Sequence, residues 1–323
     1  MEPIVFTLGD AMVDMVVSLP ELPRRGGDVE IGHYSKLPGG SAANVAVGLS
    51  RLGVKTAFLG AVGGDQEGVF LLNEFAKEGV DVSGVRVACD VPTGLVISLA
   101  DETGERTMLS FRGAGTEFRL EDTDLERVLR GKVLHVSGYC FIRDPQRGAS
   151  LALVRACREK GVRVSFDPGP QVSRVAPVIL DEVLQCTTIF LPNRQEAFEL
   201  TGKSEPEEAA RAALGLGPKL TCIKLGGAGC VIAEPSRCLR IAGFSVRVVD
   251  STGAGDAFDA GFLYAFLRGW GLEEMGRFAN AVGALSTAQT GARASLPRLN
   301  EVGLFLKEME SGDGAVSKRF RGQ

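Results

Sequence analysis

The chain has 323 residues, of which 45% are hydrophobic and 24% are charged, and its formal net charge is -4. This composition is typical of a globular protein, and without a long run of Lys and Arg it disfavours nucleic-acid binding. Because no apolar stretch could cross a bilayer and the amino terminus lacks a signal-peptide pattern, the sequence predicts a cytoplasmic protein with no membrane partner.

The first third of the chain predicts two separated pairs of strands. These pairs cover residues 12–18 with 29–35, and 94–100 with 107–112. A strand over 4–8 precedes them, and a helix over 41–52, a strand over 56–59 and a helix over 66–78 lie between them. Turn-forming residues join the strands within each pair, which favours a small sheet that stands off the main domain as a lid. An extension of the main sheet is the alternative.

Strands and helices alternate from about residue 115 onward. Predicted strands cover 133–137, 162–166, 188–191, 221–225 and 231–233, and predicted helices cover 146–160, 256–268, 272–289 and 299–309. Such alternation is typical of an α/β fold whose mostly parallel sheet is covered by helices. The predicted organisation is a main α/β domain over 1–10, 38–92 and 114–310, a lid over 11–37 and 93–113, and a flexible tail over 311–323.

The run from Asp250 to Asp256 lies just before a long apolar helix pattern. Gly253, Ala254 and Gly255 are small enough for successive N–H groups to turn toward an anion at the positive end of that helix. Asp256 then places a carboxylate where it could accept a proton from an attacking hydroxyl. A capped turn followed by a first-turn acid would produce the same run.

Two segments nearer the amino terminus could contact a hydroxylated ligand. Gly39 and Gly40 allow close approach to the backbone, Ser41 can cap the helix that follows, and Asn44 can offer both a donor and an acceptor. Asp14 interrupts an apolar strand, where a carboxylate needs water or a partner such as a polyol hydroxyl. The alternative for the first segment is a plain turn between a strand and a helix, with an Asn that merely caps. The alternative for Asp14 is a solvent-facing strand residue.

Two turns in the second half of the chain follow predicted strands. Asn193 and Glu196 open a helix at the carboxyl end of a strand, where ligands gather in open α/β sheets, although the same pair forms a capping box. The segment from Lys224 to Gly229 could bind a ligand or form a plain Gly-rich hairpin. Gly253-Ala254-Gly255 lacks the third glycine of a dinucleotide fingerprint, which disfavours a Rossmann dehydrogenase.

The cysteines and histidines offer little material for metal or nucleophile chemistry. Seven cysteines without a C-x-x-C pair disfavour a zinc site and a disulfide framework. Only two histidines occur, which disfavours a Ser-His-Asp triad. His135 lies in an apolar strand pattern and is predicted to be a structural strand residue.

In this order and from Gly9 to about Ser295, these segments resemble the ribokinase-like (PfkB) family of carbohydrate kinases. The resemblance implies a three-layer α/β/α sandwich with a mostly parallel central sheet and a small β-sheet lid. It further implies a lid that covers the sugar and makes a homodimer, ATP as phosphate donor, and Mg²⁺.

The same resemblance implies a role for individual residues. Asp256 would be the general base, and the N–H groups of Gly253, Ala254, Gly255 and Asp256 would form an anion hole. The sugar would be contacted by Asp14, Gly39, Gly40, Asn44 and Arg112. The nucleotide would be bound by Asn193, Lys224, Gly226, Gly229 and Asn280, with Glu196 tuning Mg²⁺. A monovalent cation such as K⁺ would be held by Asp250, Thr252, Ser286, Gln289, Gly291 and Ser295.

The identity of the phosphate acceptor stays open on the sequence. Gln171 stands where several keto-sugar kinases of the family carry Arg, and Arg112 could meet a sugar hydroxyl or carboxylate or be a surface charge. The predicted function is an ATP-dependent kinase that transfers the γ-phosphate to a hydroxyl of a small sugar or sugar acid. A nucleoside kinase of the same family and a non-catalytic sugar-binding regulator are the alternatives.

Overall fold

A computed structural model describes residues 2–101, 106–170 and 175–311. The strands are β1 (Val5–Leu8), β2 (Met12–Ser18), β3 (His33–Gly39), β4 (Thr56–Gly63), β5 (Asp81–Ala88), β6 (Gly94–Ala100), β7 (Arg106–Phe111), β8 (Val133–Ser137), β9 (Arg163–Asp167), β10 (Ile189–Phe190), β11 (Leu220–Lys224), β12 (Cys230–Glu234) and β13 (Arg237–Ile241). The helices are α1 (Ser41–Arg51), α2 (Gln66–Lys77), α3 (Asp122–Arg130), α4 (Gln146–Lys160), α5 (Pro177–Cys186), α6 (Arg194–Thr201), α7 (Pro206–Leu214), α8 (Ala254–Leu267), α9 (Leu272–Ser286) and α10 (Leu299–Ser311).

The main sheet has the strand order β13-β12-β11-β10-β9-β8-β1-β4-β5. All pairs from β5 to β11 are parallel, and β12 and β13 add an antiparallel hairpin at one edge. Side chains alternate between two cores across this sheet, with Val5 in one core and Phe6 in the other. Helices cover both faces, which confirms the predicted three-layer α/β fold.

The second sheet has four strands in the order β3-β2-β6-β7. β2 pairs with β3 antiparallel and with β6 parallel, and β6 pairs with β7 antiparallel. The four extended segments therefore form a separate lid sheet, and the alternative of a longer main sheet is wrong. The exact domain limits stay a prediction.

Several elements differ from the sequence expectation. The strand predicted over 29–35 lies at His33–Gly39, because its register follows β2, which pairs Ser18 with His33 and Met12 with Gly39. The sequence interpretation also missed β5, β13 and α3, which carry many polar side chains. His135 is a buried strand residue, as predicted. Gln171 and the predicted tail beyond Ser311 lie outside the described residues.

Within those residues, no helix combines the length and apolar character needed to span a membrane.

Candidate active site

Helix α8 begins with the run of small residues. Gly253 precedes the helix with φ of +77°, and a Cβ at this position would lie 2.7 Å from the Cβ of Ala292. The N–H of Ala254 donates to the Ser251 carbonyl at 3.2 Å. The N–H groups of Gly255 and Asp256 belong to the first helical turn, which lacks intrahelical acceptors and carries the positive end of the helix dipole. The run therefore forms a turn, the predicted anion cradle, whose N–H groups could bind an anion.

The carboxylate of Asp256 is held by the first turn of α1. Ser41 Oγ donates to Oδ1 at 2.8 Å, and Asn44 Nδ2 donates to Oδ2 at 2.7 Å. Burial raises the pKa of Asp256 to about 6, even though both hydrogen bonds favour the charged form. A carboxylate with this pKa can accept a proton near neutral pH. Ser41 is thus a partner of Asp256, and its predicted role as a helix cap is wrong, because no side chain caps α1.

Arg293 orients Asn44 from behind. This side chain is only 4% exposed and stacks over the Phe75 ring, with 4.7 Å from the guanidinium carbon to the ring centroid. Nε donates to Asn44 Oδ1 at 3.0 Å, and Nη2 donates to the Gly39 carbonyl at 2.7 Å. Since the Asn44 carbonyl oxygen faces Arg293, its amide NH₂ faces Asp256. The sequence interpretation missed Arg293, whose two hydrogen-bond partners, Asn44 and Gly39, lie 249 and 254 positions away.

The two glycines at the end of β3 allow the backbone to approach the Asp14 carboxylate and the Asp10 backbone carbonyl closely. A Cβ at Gly39 would overlap the Asp14 carboxylate, and Gly40 has φ of +100° with no room beside the Asp10 carbonyl. Burial raises the pKa of Asp14 to about 6; the Arg293 charge opposes this shift and Asp256 adds to it. Asp14, Asp256 and Arg293 therefore form one electrostatic group at the base of the lid.

A cavity of about 200 Å³ lies between the lid and the main sheet. The lid contributes Asp14, Ser98 and Arg112, and the main domain contributes Tyr139 and Thr252. Arg112 lies 4.1 Å from the centroid of the Tyr139 ring, and its side chain is only 19% exposed. The interpretation of Arg112 as a surface charge is therefore wrong.

A second cavity of about 520 Å³ lies on the other side of the small-residue run. Gly226, Gly229, Gly243, Val246, Ser251, Gly255 and Asn280 are among its lining residues. Gly229 has φ of +94°, and a Cβ there would overlap the Ile241 carbonyl. Asn280 Nδ2 donates to the Ala242 carbonyl at 3.1 Å, so this side chain holds the cavity wall.

Lys224 lies under the cradle and pairs with two carboxylates. Its Nζ is 2.9 Å from Asp167 Oδ2 and 3.0 Å from Asp259 Oδ1. The same Nζ would be 3.6 Å from a Cβ on Gly255. Burial alone would lower the pKa of Lys224, but the charges of Asp167 and Asp259 raise it above the usual value. A fixed cation therefore supports the first turn of α8 from the sheet side.

Comparison with known proteins agrees with this geometry. The family model of pfkB family carbohydrate kinases matches residues 4–299. The chain belongs to the PfkB family. It is an ATP-dependent carbohydrate kinase, and the resemblance seen in the sequence is confirmed.

Curated relatives of this kinase carry several names. An uncharacterized sugar kinase of Archaeoglobus fulgidus is 36% identical over 78% of this chain and 99% of its own length. The ribokinase of Haemophilus influenzae is 30% identical, covering 93% and 97%. A fructokinase of Salmonella typhimurium is 32% identical, covering 91% and 96%. These relatives leave the acceptor of the kinase unresolved.

Solved structures show the same fold with ligands bound. Arabidopsis thaliana ribokinase in complex with ribose and ATP matches with a TM-score of 0.84 and 28% identity, covering 95% of this chain and 99% of that one. A putative ribokinase II of E. coli in complex with ATP and Mg²⁺ matches with a TM-score of 0.83 and 25% identity, covering 95% and 100%.

In this kinase the predicted pair Asn193 and Glu196 forms a reciprocal cap on α6. Glu196 N–H donates to Asn193 Oδ1 at 2.9 Å, and Asn193 N–H donates to Glu196 Oε2 at 2.8 Å. Burial raises the pKa of Glu196 to about 7, and the charge of Asp167 adds to the shift. Asn193 also pairs with Lys224 across the sheet edge. The capping alternative is therefore confirmed, and any ligand contact of Asn193 stays a prediction.

The carboxylates near the cradle fit a magnesium ion that is held mainly by phosphate oxygens. No group of three His, Cys, Asp or Glu side chains converges on a metal site in the part of the chain that the structure covers. Mg²⁺ usually takes one or two carboxylates together with substrate phosphates and water. Glu196, buried and close to Asp167, supplies the right donor type for this arrangement.

The structure brings together some of the residues predicted to hold a monovalent cation. Asp250 accepts from the Thr252 N–H at 2.8 Å and from the Gly291 N–H at 3.0 Å, and Ser295 Oγ donates to the Gly291 carbonyl at 2.9 Å. Ser286 Oγ donates to the Gly283 carbonyl at 2.8 Å. Gln289 lines a separate surface cavity with Ser295. The Asp250 carboxylate thus connects its own loop to the loop that contains Gly291. The cation itself stays a prediction.

Proposed function

We propose that this kinase transfers the γ-phosphate of ATP to a hydroxyl of a small sugar bound beneath the lid. The observation that carries the proposal is the position of the small-residue run between the two cavities. Asp250 and Thr252 line the lid cavity, whereas Ser251, Ala254 and Gly255 line the other one. Asp256 follows this run and accepts a hydrogen bond from Ser41, which lines the lid cavity. An acceptor on one side of the run and a nucleotide on the other would therefore meet near its carboxylate.

The proposed chemistry uses the residues around Asp256 in defined roles. Asp256 takes the proton of the acceptor hydroxyl, and a new bond forms between that oxygen and the γ-phosphorus. The bond between the γ-phosphorus and the oxygen that bridges it to the β-phosphate breaks, and ADP is released. The N–H groups of Gly255 and Asp256 stabilise the charge on the transferring group. Ser41 and Asn44 hold the base, and Lys224 contributes a fixed positive charge from below.

The proposal assigns the remaining predicted residues to binding. The acceptor would contact Asp14, the Gly39–Gly40 turn and Arg112. The nucleotide would occupy the glycine-lined cavity, with Gly226 and Gly229 next to its phosphates. Glu196 would help to hold Mg²⁺, which would neutralise charge on the phosphates.

A monovalent cation beside Asp250 is part of the same proposal. The carbonyl and carboxylate oxygens gathered around Gly291 suit a hard cation such as K⁺. Turnover should rise when KCl replaces choline chloride at constant ionic strength, and equal rates in the two salts would remove the cation from the scheme.

The outer face of the lid supports a proposed homodimer. Met108, Ser110 and Arg112 face the cavity, so strand alternation places Leu109 and Phe111 on the opposite face. Both are more than half exposed, as is Tyr34 on β3. Sedimentation should give a dimer mass that Leu109→Lys converts to a monomer mass. A monomeric wild-type protein at micromolar concentration would contradict this arrangement.

The experiment that tests the function is Asp256→Asn in an assay of ADP release with ATP, Mg²⁺ and a set of sugars and nucleosides. Loss of the general base should lower kcat by roughly 10²–10⁴-fold while ATP still raises the melting temperature. Turnover near that of the wild type would remove Asp256 as the base. Thermal stabilisation by a sugar without ADP release from the wild type would favour the non-catalytic regulator, and selective turnover of nucleosides would favour the nucleoside kinase.

A further inference from the structure

The lid cavity contains an arginine whose charge is already matched. Arg112 forms an ion pair with Asp10, in which Nη2 contacts Oδ2. Asp10 is only 4% exposed, and its Oδ1 accepts a hydrogen bond from Gln146 Nε2 at 2.8 Å. The guanidinium also lies over the Tyr139 ring. The protein therefore holds both the Asp10 carboxylate and the Arg112 guanidinium in place before any ligand enters the cavity.

The remaining charges around the cavity are mostly negative. Among the residues that the structure describes, its lining carries the carboxylates of Asp10, Asp14 and Asp250 against the single guanidinium of Arg112. Asp256 and Arg293, which lie just behind the lining, add one charge of each sign. An anionic ligand would thus meet an excess of carboxylates and a cation that is already paired.

We infer that the acceptor is an uncharged sugar and that the Asp10–Arg112 ion pair excludes sugar phosphates and sugar acids. This inference rests on the proposed sugar kinase function and deepens it. The guanidinium has five N–H donors in a planar fork, so it can still donate to sugar hydroxyls while one edge contacts Asp10.

The selectivity follows from the cost of placing a second anion beside a compensated cation. A carboxylate or phosphate on the acceptor would lose its hydration on entering the cavity and would compete with Asp10 for the same guanidinium. Like charges placed together at a binding site discriminate against the wrong ligand, whereas a neutral hydroxyl does not suffer this repulsion. The sequence leaves open whether Arg112 contacts a sugar hydroxyl or a carboxylate. The ion pair with Asp10 favours contact with a hydroxyl.

The test compares acceptors that differ in one anionic group. The probes are ribose with ribose 1-phosphate, and fructose with both fructose 1-phosphate and fructose 6-phosphate, so that a phosphorylated probe is present that keeps the hydroxyl the kinase uses. They are assayed for ADP release with the full-length kinase, ATP and Mg²⁺, and only phosphorylated probes that keep that hydroxyl are compared. For the acceptor that the kinase uses, kcat/KM should favour the uncharged member by roughly 100-fold or more. Equal or better use of the phosphorylated member would overturn the inference. If no acceptor in a wide screen releases ADP, the proposed function itself fails, which is a different outcome.

The variant Asp10→Asn tests the ion pair directly. Removing the counter-charge exposes the charge of Arg112 to the ligand, so the preference for the uncharged acceptor should fall by roughly 10-fold or more. The ratio of the two kcat/KM values is the readout, because it does not depend on the fraction of folded enzyme. The matched control is Asp124→Asn, which removes the carboxylate of another Arg–Asp pair, with Arg86, outside the cavity lining. A ratio that changes equally in both variants, or in neither, would overturn the role of Asp10.

Discussion

Arg293→Met should destabilise the kinase by about 3–6 kcal/mol in the free energy of unfolding. The wild-type side chain is 4% exposed and donates to Asn44 Oδ1 and to the Gly39 carbonyl at 3.0 and 2.7 Å. A hydrogen bond that involves a charged group contributes roughly 1.5–3 kcal/mol, and this substitution removes two of them. Met keeps an apolar contact with Phe75, which places the expected loss toward the lower end of that range.

The measurement is urea unfolding followed by tryptophan fluorescence, with two comparison variants. Arg293→Lys keeps the charge but loses the planar fork, so it should cost less stability and yet lower kcat, because Asn44 is no longer turned toward Asp256. Arg268→Met removes an exposed arginine that lies over the Tyr264 ring at 4.9 Å, and it should shift stability by about 0.5 kcal/mol or less. Wild-type stability together with wild-type kcat in Arg293→Met would refute the reasoning.

The remaining predictions concern Asp256, the proposed base, and Lys224 below it. Because Asp256 accepts a proton only in its ionised form and burial raises its pKa to about 6, kcat/KM should fall roughly tenfold per pH unit below about pH 6 and level off above it. Asp14 also titrates near pH 6, so the limb should be measured in Asp14→Asn as well, and a limb near pH 4 in that variant would contradict the assignment to Asp256. Lys224→Met leaves Asp167 and Asp259 buried without their cation and should cost about 3–5 kcal/mol of stability. An unchanged urea midpoint in Lys224→Met would show that the pairing contributes little.

Local patterns are sufficient for much of the fold. The limits of β8 and α4 agree with the sequence prediction, because each combines a clear apolar periodicity with flanking glycine. The position of β3 could not be read in this way. Its residues include several polar side chains and only Gly39 is buried, so pairing with β2 sets where the strand begins. The two edge strands β5 and β13 also carry polar side chains, and the sequence interpretation missed them.

Some residues of the candidate site can be predicted from their neighbours in the sequence, whereas others depend on contacts between distant parts of the chain. Asp256 and the small residues before it could be predicted as site residues because they form one continuous run. Arg293 and Asp10 could not be identified in this way, because the contacts that define their roles are with residues far away in the sequence. Ser41 and Asn44 were visible as residues near a helix start, but their contact with Asp256 depends on the packing of α1 against α8.

A chain of hydrogen bonds connects the proposed acceptor side of the kinase to Asp256, the proposed base. It runs from the Gly39 carbonyl through Arg293 and Asn44 to Asp256. Any change in the Gly39 turn that reshapes the lid cavity will therefore also move Asp256, the proposed base. A substitution at this turn that alters the range of acceptors should therefore also alter the turnover rate. A new specificity then requires compensating changes on α1 or in the loop that carries Arg293.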